Sequence, residues 1–240
     1  MTLLIVEAVS KRFGELAVTD DMSFSVTAGE ALGIVGPNGA GKTTLLNLVA
    51  GDLRPDAGHI HFDGREVTKL AANARCNLGM GRTSQIPRPF EGLTVFENAL
   101  VGSSFGAGNR LAGTREQAAA DAVERVGMNR KANVIAGSLT LLERKRLELA
   151  RALATQPRLL LLDEIAGGLT EEEVLELVEL IKQIHSSGVA IVWIEHIVHA
   201  LIRVVDRMIA IDAGSMLADG DPQTVMSSDA VRSVYIGAEV

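Results

Sequence analysis

The chain has a single cysteine, Cys76, among its 240 residues. One thiol cannot close an internal disulfide, so packing alone must hold the fold, and nothing points to an oxidising compartment. Aromatic residues make up only 3%. An aliphatic core is therefore expected, and the stacking platforms that single-stranded nucleic acid requires are scarce. Basic residues are outnumbered, 23 Lys and Arg against 30 Asp and Glu, for a net charge of −7. That balance excludes the basic footprint of a nucleic-acid binder and a charge-driven hold on anionic lipid. Long apolar runs are missing too. The longest, LLLL at 159–162 and the run at 189–194, fall far short of the roughly 20 residues of a transmembrane helix. The opening MTLLIVEAVSKRF has no basic stretch ahead of its apolar residues and is not expected to be a signal peptide. The expected location is the cytosol, with any membrane attachment made through a protein partner. No internal repeat or low-complexity linker is visible.

Hydrophobic residues reach 47%, enough for a sizeable core in a chain of this length. The apolar run 31–35 ends in a Gly-rich turn and reads as a buried strand feeding a loop. Residues 42–50 read as a helix stopped by Gly51. The uniformly apolar runs 159–162 and 189–194 suit parallel strands covered on both faces. Between them a helix is predicted. Thr170 and Glu173 form a capping box, and Val174, Leu177, Val178, Ile181 and Ile184 fall on one face. Ser187 and Gly188 end it. Strand, helix, strand in that order predicts a βαβ unit and a parallel sheet. The middle is different. Residues 102–113 are rich in Gly and Ser and read as loop, whereas 114–126 and 143–154 read as helices. A helical subdomain over 86–157 is predicted, inserted into an α/β core formed by 1–85 and 158–240 of one domain.

Two motifs carry chemistry. Gly36-Pro37-Asn38-Gly39-Ala40-Gly41-Lys42-Thr43 fits the phosphate-loop pattern G-x-x-x-x-G-K-[ST], and Thr44 continues it into the helix. Its glycines let backbone N–H groups turn inward around phosphate oxygens, and the helix aims its positive end at the same place. Lys42 can reach the β- and γ-phosphates, and the Thr43 hydroxyl can ligate Mg²⁺. The second motif is LLLL-Asp163-Glu164. An apolar strand delivers Asp163 to its carboxyl end, where ligands bind in open α/β sheets. Asp163 can hold the Mg²⁺ shell, and Glu164 is placed to polarise an attacking water.

With these motifs placed, the chain resembles the ABC ATPases along nearly its whole length. The resemblance implies a P-loop NTPase fold of the α/β class, with a mostly parallel core sheet, an antiparallel β subdomain and an inserted helical subdomain. It implies that Gln85 contacts Mg²⁺ and the water, that His196 contacts the γ-phosphate, and that Phe13 stacks on adenine. Residues 166–170 lie where the family's D-loop crosses to a second subunit. The remaining histidines, His59, His61, His185 and His199, match nothing and read as structural; His196 and His199 lack a third ligand for a metal. Arg82-Thr83-x-Gln85, Gly92-Leu93-Thr94-Val95-x-Glu97-Asn98, the run from Arg146 to Leu153, and Gly220-x-Pro222 with Tyr235-Ile236-Gly237 resemble the ATPases of branched-chain amino-acid importers.

That resemblance implies ATP and Mg²⁺ as ligands and transmembrane permease subunits as partners, docking near 85–98. It also implies a second ATPase subunit, a periplasmic solute-binding protein, no nucleic acid, and a peripheral position on the cytoplasmic face of the inner or plasma membrane. Two alternatives stay open: a lipopolysaccharide-type extractor, against which the match over 82–98 speaks, and a non-transport regulatory ATPase. Three departures stand out. Where the family's signature loop reads Leu-Ser-Gly-Gly-Gln, this chain has Leu139-Thr140-Leu141-Leu142-Glu143. Ile165 stands where a proline is usual, and Gly168 and Thr170 where a small residue and Asp or Asn are usual. In the family the signature loop clamps the ATP held by the other subunit. Its loss of both glycines predicts a heterodimeric motor with one good site; alternatively the Thr140 hydroxyl suffices and both sites work.

Overall fold

The computed structural model describes residues 1–106 and 113–237, with side chains to residue 234. The chain divides into two compact units, residues 1–72 with 190–240, and residues 73–189.

The first unit contains two sheet systems. β1 (Thr2–Phe13) and β2 (Leu16–Thr27) form an antiparallel hairpin, joined along the other edge of β1 by β4 (Ala57–Phe62) and then β5 (Arg65–Glu66). Buried residues pair across the ladder, Leu4 with Val26 and Val6 with Phe24. The register then shifts, so Val9 rather than Ala8 faces inward, opposite Met22. The second system centres on β3 (Ala31–Val35), every residue of which is buried. It runs parallel to β8 (Ala190–Ile194) on one side and β9 (Arg207–Asp212) on the other. Burial on both sides explains why β3 and β8 read as continuous apolar runs. β9 turns through Ala213 and Gly214, both at positive φ, into the antiparallel β10 (Ser215–Gly220). Arg207 ties this region together. It donates to Glu30, Asp219 and the Ser25 carbonyl, and these acids push its pKa up, Asp219 foremost. The helices of this unit are α1 (Lys42–Ala50), α7 (Val198–Ile202), α8 (Pro222–Ser227) and α9 (Asp229–Gly237). Pro222 sits at the first turn of α8, where its missing N–H costs nothing.

In the second unit β6 (Met80–Arg82) lies parallel to β7 (Leu159–Asp163). Its helices are α2 (Ala72–Leu78), α3 (Val95–Gly106), α4 (Arg115–Arg125), α5 (Leu141–Ala154) and α6 (Glu171–Ser186). α3, α4 and α5 pack on one another. α6 begins with the expected capping box, Thr170 accepting from the Glu173 N–H and Glu173 accepting from the Thr170 N–H. Its five predicted apolar positions are all buried.

The Gly- and Ser-rich stretch does not begin as loop. α3 continues through Gly102, Ser103 and Gly106; residues 107–112 of that stretch lie outside the described residues. The reason is close helix contact. A Cβ on Gly102 would stand 2.4 Å from the Arg151 carbonyl oxygen of α5. Small residues here permit two helices to approach, and their poor helix propensity is overridden by that packing. α5 likewise starts two residues earlier than the sequence pattern predicts, at Leu141.

Candidate functional site

In the first unit, buried β3 runs into Gly36, and α1 begins six residues later. The loop between must turn sharply against neighbouring backbone. Gly39 and Gly41 take φ of 83° and 96°, in the region that disfavours a side chain. A Cβ on Gly36 would lie 2.2 Å from the Ile211 carbonyl oxygen, and one on Gly41 2.2 Å from that of Val18. Lys42 lies under this loop, only 5% exposed, and its ammonium donates to the carbonyls of Gly36 at 2.8 Å and Pro37 at 2.9 Å. α1 starts at Gly41 with no side-chain cap. The first-turn N–H groups of α1 therefore carry no acceptor from an N-cap side chain, and the adjacent cation adds to the positive end of the helix. Such an end fits an anion such as a phosphate group. Thr43 and Thr44 occupy the first turn.

Two further expected residues lie in this unit. Phe13 ends β1 with its ring half exposed, Lys11 Nζ standing 5.7 Å from the ring centroid. Lys11 in turn pairs with Asp56, and with the Arg12 N–H it holds that carboxyl below its ordinary range. His196 follows β8, its side chain 54% exposed and Nδ1 3.7 Å from a carboxylate oxygen of fully buried Glu195.

The second unit brings several expected residues together. β7 carries Asp163 to its end, where the buried carboxylate accepts from the Arg82 guanidinium of β6 at 2.9 Å. Glu164 follows at φ 43°, a left-handed conformation that is uncommon for a residue with a side chain and turns the chain sharply out of the strand. Its Oε2 accepts from Gln85 Nε2 at 2.6 Å. Oε1 has no hydrogen-bond partner among the described residues. Two side chains 79 positions apart, chosen from sequence for one reaction, thus touch each other.

Sequence reasoning missed the residues that hold these in place. Arg82 was matched as part of a motif, without its pairing to Asp163. Lys145 of α5, 3% exposed, donates to the Gln85 carbonyl at 3.0 Å. Glu148 accepts from the Arg88 N–H and from Arg151, and Arg151 lies over the Phe90 ring. Fully buried Asn98 accepts from the Phe90 N–H and donates to the carbonyls of Phe90 and Thr94. The available signal was charged residues on the buried face of an amphipathic helix, at 145 and 148.

The segment aligned with the signature loop takes a form of its own. Thr140 caps α5 and accepts from the Glu143 N–H, while the Glu143 carboxylate accepts from the Thr140 N–H. Lys131 pairs with the same carboxylate and, as the largest influence, holds its pKa below the ordinary glutamate value. Arg144 turns the other way, donating to the carbonyls of Leu139 and Gly137. The acid at 143 therefore has a cationic partner in Lys131.

Among the described residues, no helix is long and apolar enough to cross a membrane, and no group of three or more His, Cys, Asp and Glu could hold a metal ion.

Comparison with known proteins is consistent with this geometry. The family model described as "ABC transporter" matches residues 19–167. The high-affinity branched-chain amino acid transport ATP-binding protein BraF of Pseudomonas aeruginosa is 34% identical, over 98% of this chain and 98% of its own. The lipopolysaccharide export system ATP-binding protein LptB of Haemophilus influenzae is 31% identical, over 100% of this chain and 99% of its own. The solved ADP conformation of an ATP-binding cassette of an ABC transporter superposes with a TM-score of 0.90 at 28% identity, covering 99% of each chain. A strand delivered into a lysine-bearing glycine loop, a buried Asp followed by a Glu held by a glutamine, a family match over 19–167 and relatives alike over nearly the whole chain lead to one conclusion: the chain belongs to the ABC transporter family, as an ATP-binding, ATP-hydrolysing subunit.

Proposed function

We propose that this subunit powers an importer of branched-chain amino acids or related small polar or organic-acid solutes, with Glu164 polarising the water that attacks the γ-phosphate. The contact between Gln85 Nε2 and Glu164 Oε2 carries the catalytic part of this reading. It fixes one carboxylate oxygen and leaves Oε1 to accept from a water. In this reading Lys42 and the N–H groups of residues 36–44 hold the phosphates, and His196 offers a ring nitrogen to the γ-phosphate. Phe13 offers its half-exposed face to adenine. Thr43, Asp163 and Gln85 present hydroxyl, carboxylate and amide oxygens, the hard donors that suit Mg²⁺. When bound, Mg²⁺ neutralises charge developing on the phosphate oxygens.

The importer reading is supported by the likeness to BraF. A second reading, a subunit of a lipopolysaccharide exporter, is favoured by the comparable likeness to LptB over the whole chain. Under either reading the subunit attaches to the membrane through transmembrane permease subunits, docking near residues 85–98, where Ile86 and Phe90 are exposed. A periplasmic solute-binding protein belongs to the importer reading alone. We further propose that 86–157 acts as a helical subdomain of a single ATPase domain, and that the motor is a heterodimer. The heterodimer is supported by the α5 start, where Thr140 and Glu143 satisfy each other. A phosphate approaching that helix end would find the Glu143 N–H already engaged by the Thr140 hydroxyl.

One experiment tests the catalytic role and the asymmetry. In the transporter assembled with its permeases, Glu164→Gln is expected to keep ATP binding and to lose turnover by at least about a hundredfold. The equivalent change in the second ATPase subunit is expected to cost little. Wild-type turnover with Glu164→Gln removes the catalytic role, and equal losses from the two changes remove the asymmetry.

A further inference from the structure

We propose that Lys145 is a positioning residue for hydrolysis, holding Gln85 against Glu164. The inference rests on the reading of Gln85 and Glu164 given above and extends it to a residue of α5.

Gln85 is exposed, and so is its neighbour Ile86, at 69%. Packing cannot fix a backbone in that setting, so polar ties must. The segment leaves β6 with the Thr83 N–H bonded to the Leu161 carbonyl. Beyond it, α5 holds the chain at Arg88, whose N–H donates to Glu148 and whose carbonyl accepts from Arg151. Between these anchors, the Gln85 main chain is held by the Lys145 ammonium, 3.0 Å from the Gln85 carbonyl oxygen. Lys145, Glu148 and Arg151 recur every three residues, so one face of α5 grips the whole segment.

The choice of a lysine is informative. Burying an ammonium to 3% exposure is unfavourable unless its donors are used. A charge-assisted bond to a carbonyl is shorter and stronger than a neutral one. The Gln85 side chain then spans the 2.6 Å to Glu164 Oε2 from a fixed base. Small displacements of a group that orients a reactant are expensive in rate, because the reacting geometry must be recovered at each turnover. Lys145 touches neither reactant. It acts through the carbonyl of a residue that does.

The test uses the full chain with Lys145→Met, which keeps length and apolar volume and removes the donors, and Lys145→Arg, which keeps a cationic donor. In the absence of nucleotide, the side-chain amide resonance of Gln85, assigned by its disappearance in Gln85→Ala, is expected to move in Lys145→Met toward that of a glutamine whose amide is bonded to water alone. In Lys145→Arg it is expected to stay near its original position. In the transporter assembled with its permeases, Lys145→Met is expected to lower ATP hydrolysis about tenfold in kcat with KM within about twofold, and Lys145→Arg to recover most of it. In the Gln85→Ala background, Lys145→Met is expected to cost nothing further. An unmoved Gln85 resonance overturns the proposal. So does a loss from Lys145→Met that is as large with Gln85→Ala as without it. If Lys145→Met does not fold, Lys145→Leu, which likewise has no donor, takes its place under the same criteria. Full turnover in Glu164→Gln would instead remove the catalytic reading, leaving the resonance to decide on Lys145.

Discussion

Two helices of this protein start in opposite ways. α1 begins at Gly41, with no side-chain cap and with Lys42 beneath the loop. α5 begins at Thr140 with a complete capping box, and Lys131 neutralises the acid of that box. Both ends carry the partial positive charge of a helix N-terminus. At α1 no cap side chain competes for that charge, which leaves it to an incoming anion. At α5 the chain's own Glu143 occupies it. α5 in fact starts just as α6 does, with Thr170 and Glu173 in the same roles. A segment that by resemblance stands at the family's signature loop is thus built here as an ordinary structural helix start.

The largest effect that could break this contrast is at Lys42. Lys42→Ala is expected to weaken ATP binding by about a hundredfold, roughly 3 kcal/mol, because a charged donor facing phosphate is lost. Unchanged affinity in a calorimetric titration would sink the assignment of α1 as the open end. Gly41→Ala should come next, at about 2 kcal/mol of stability. Its φ of 96° resists a Cβ, and that Cβ would meet the Val18 carbonyl oxygen. Urea unfolding reads the loss, and a neutral result would mean that the loop can relax around a side chain.

Thr140→Ala sharpens the comparison from the other side. It should cost about 1 kcal/mol of stability, the ordinary value of a threonine cap, and leave the subunit's own ATP affinity unchanged. A change in affinity with no change in stability would give α5 a binding role that its capping box denies. The smallest effect is the pH dependence at Glu143. Its folded-state pKa lies below the ordinary glutamate value of 4.5, with Lys131 as the main cause. The stabilisation is therefore complete above that value and is lost as pH falls through the depressed folded-state pKa. For a surface pair screened by solvent, Glu143→Gln should cost about 0.5 kcal/mol at pH 7. The difference from wild type should vanish in acid, and one that grew in acid would contradict the pairing.

The sequence by itself determined the elements whose causes are local. β3, the glycine loop and α1 follow from a buried apolar run, residues that tolerate positive φ, and a Gly51 stop within twenty-one residues. The start of α6 follows from Thr170 and Glu173, three positions apart. Asp163 and Glu164 were legible because an apolar strand ends on them. What only the tertiary structure decided depends on groups far apart in the chain. The helix through 102–106 follows from the approach of Arg151 in α5, which a Gly- and Ser-rich composition cannot reveal. Residue type named Gln85 and Glu164, but their contact crosses 79 positions, and the Lys145 tie that supports it crosses 60. The altered signature could be read as a loss of glycine, yet whether Glu143 would face a nucleotide unpaired depended on Lys131, twelve positions earlier. Local conformational preference is written in neighbouring residues, whereas the partner of a charge is fixed only when the packed chain brings one within reach.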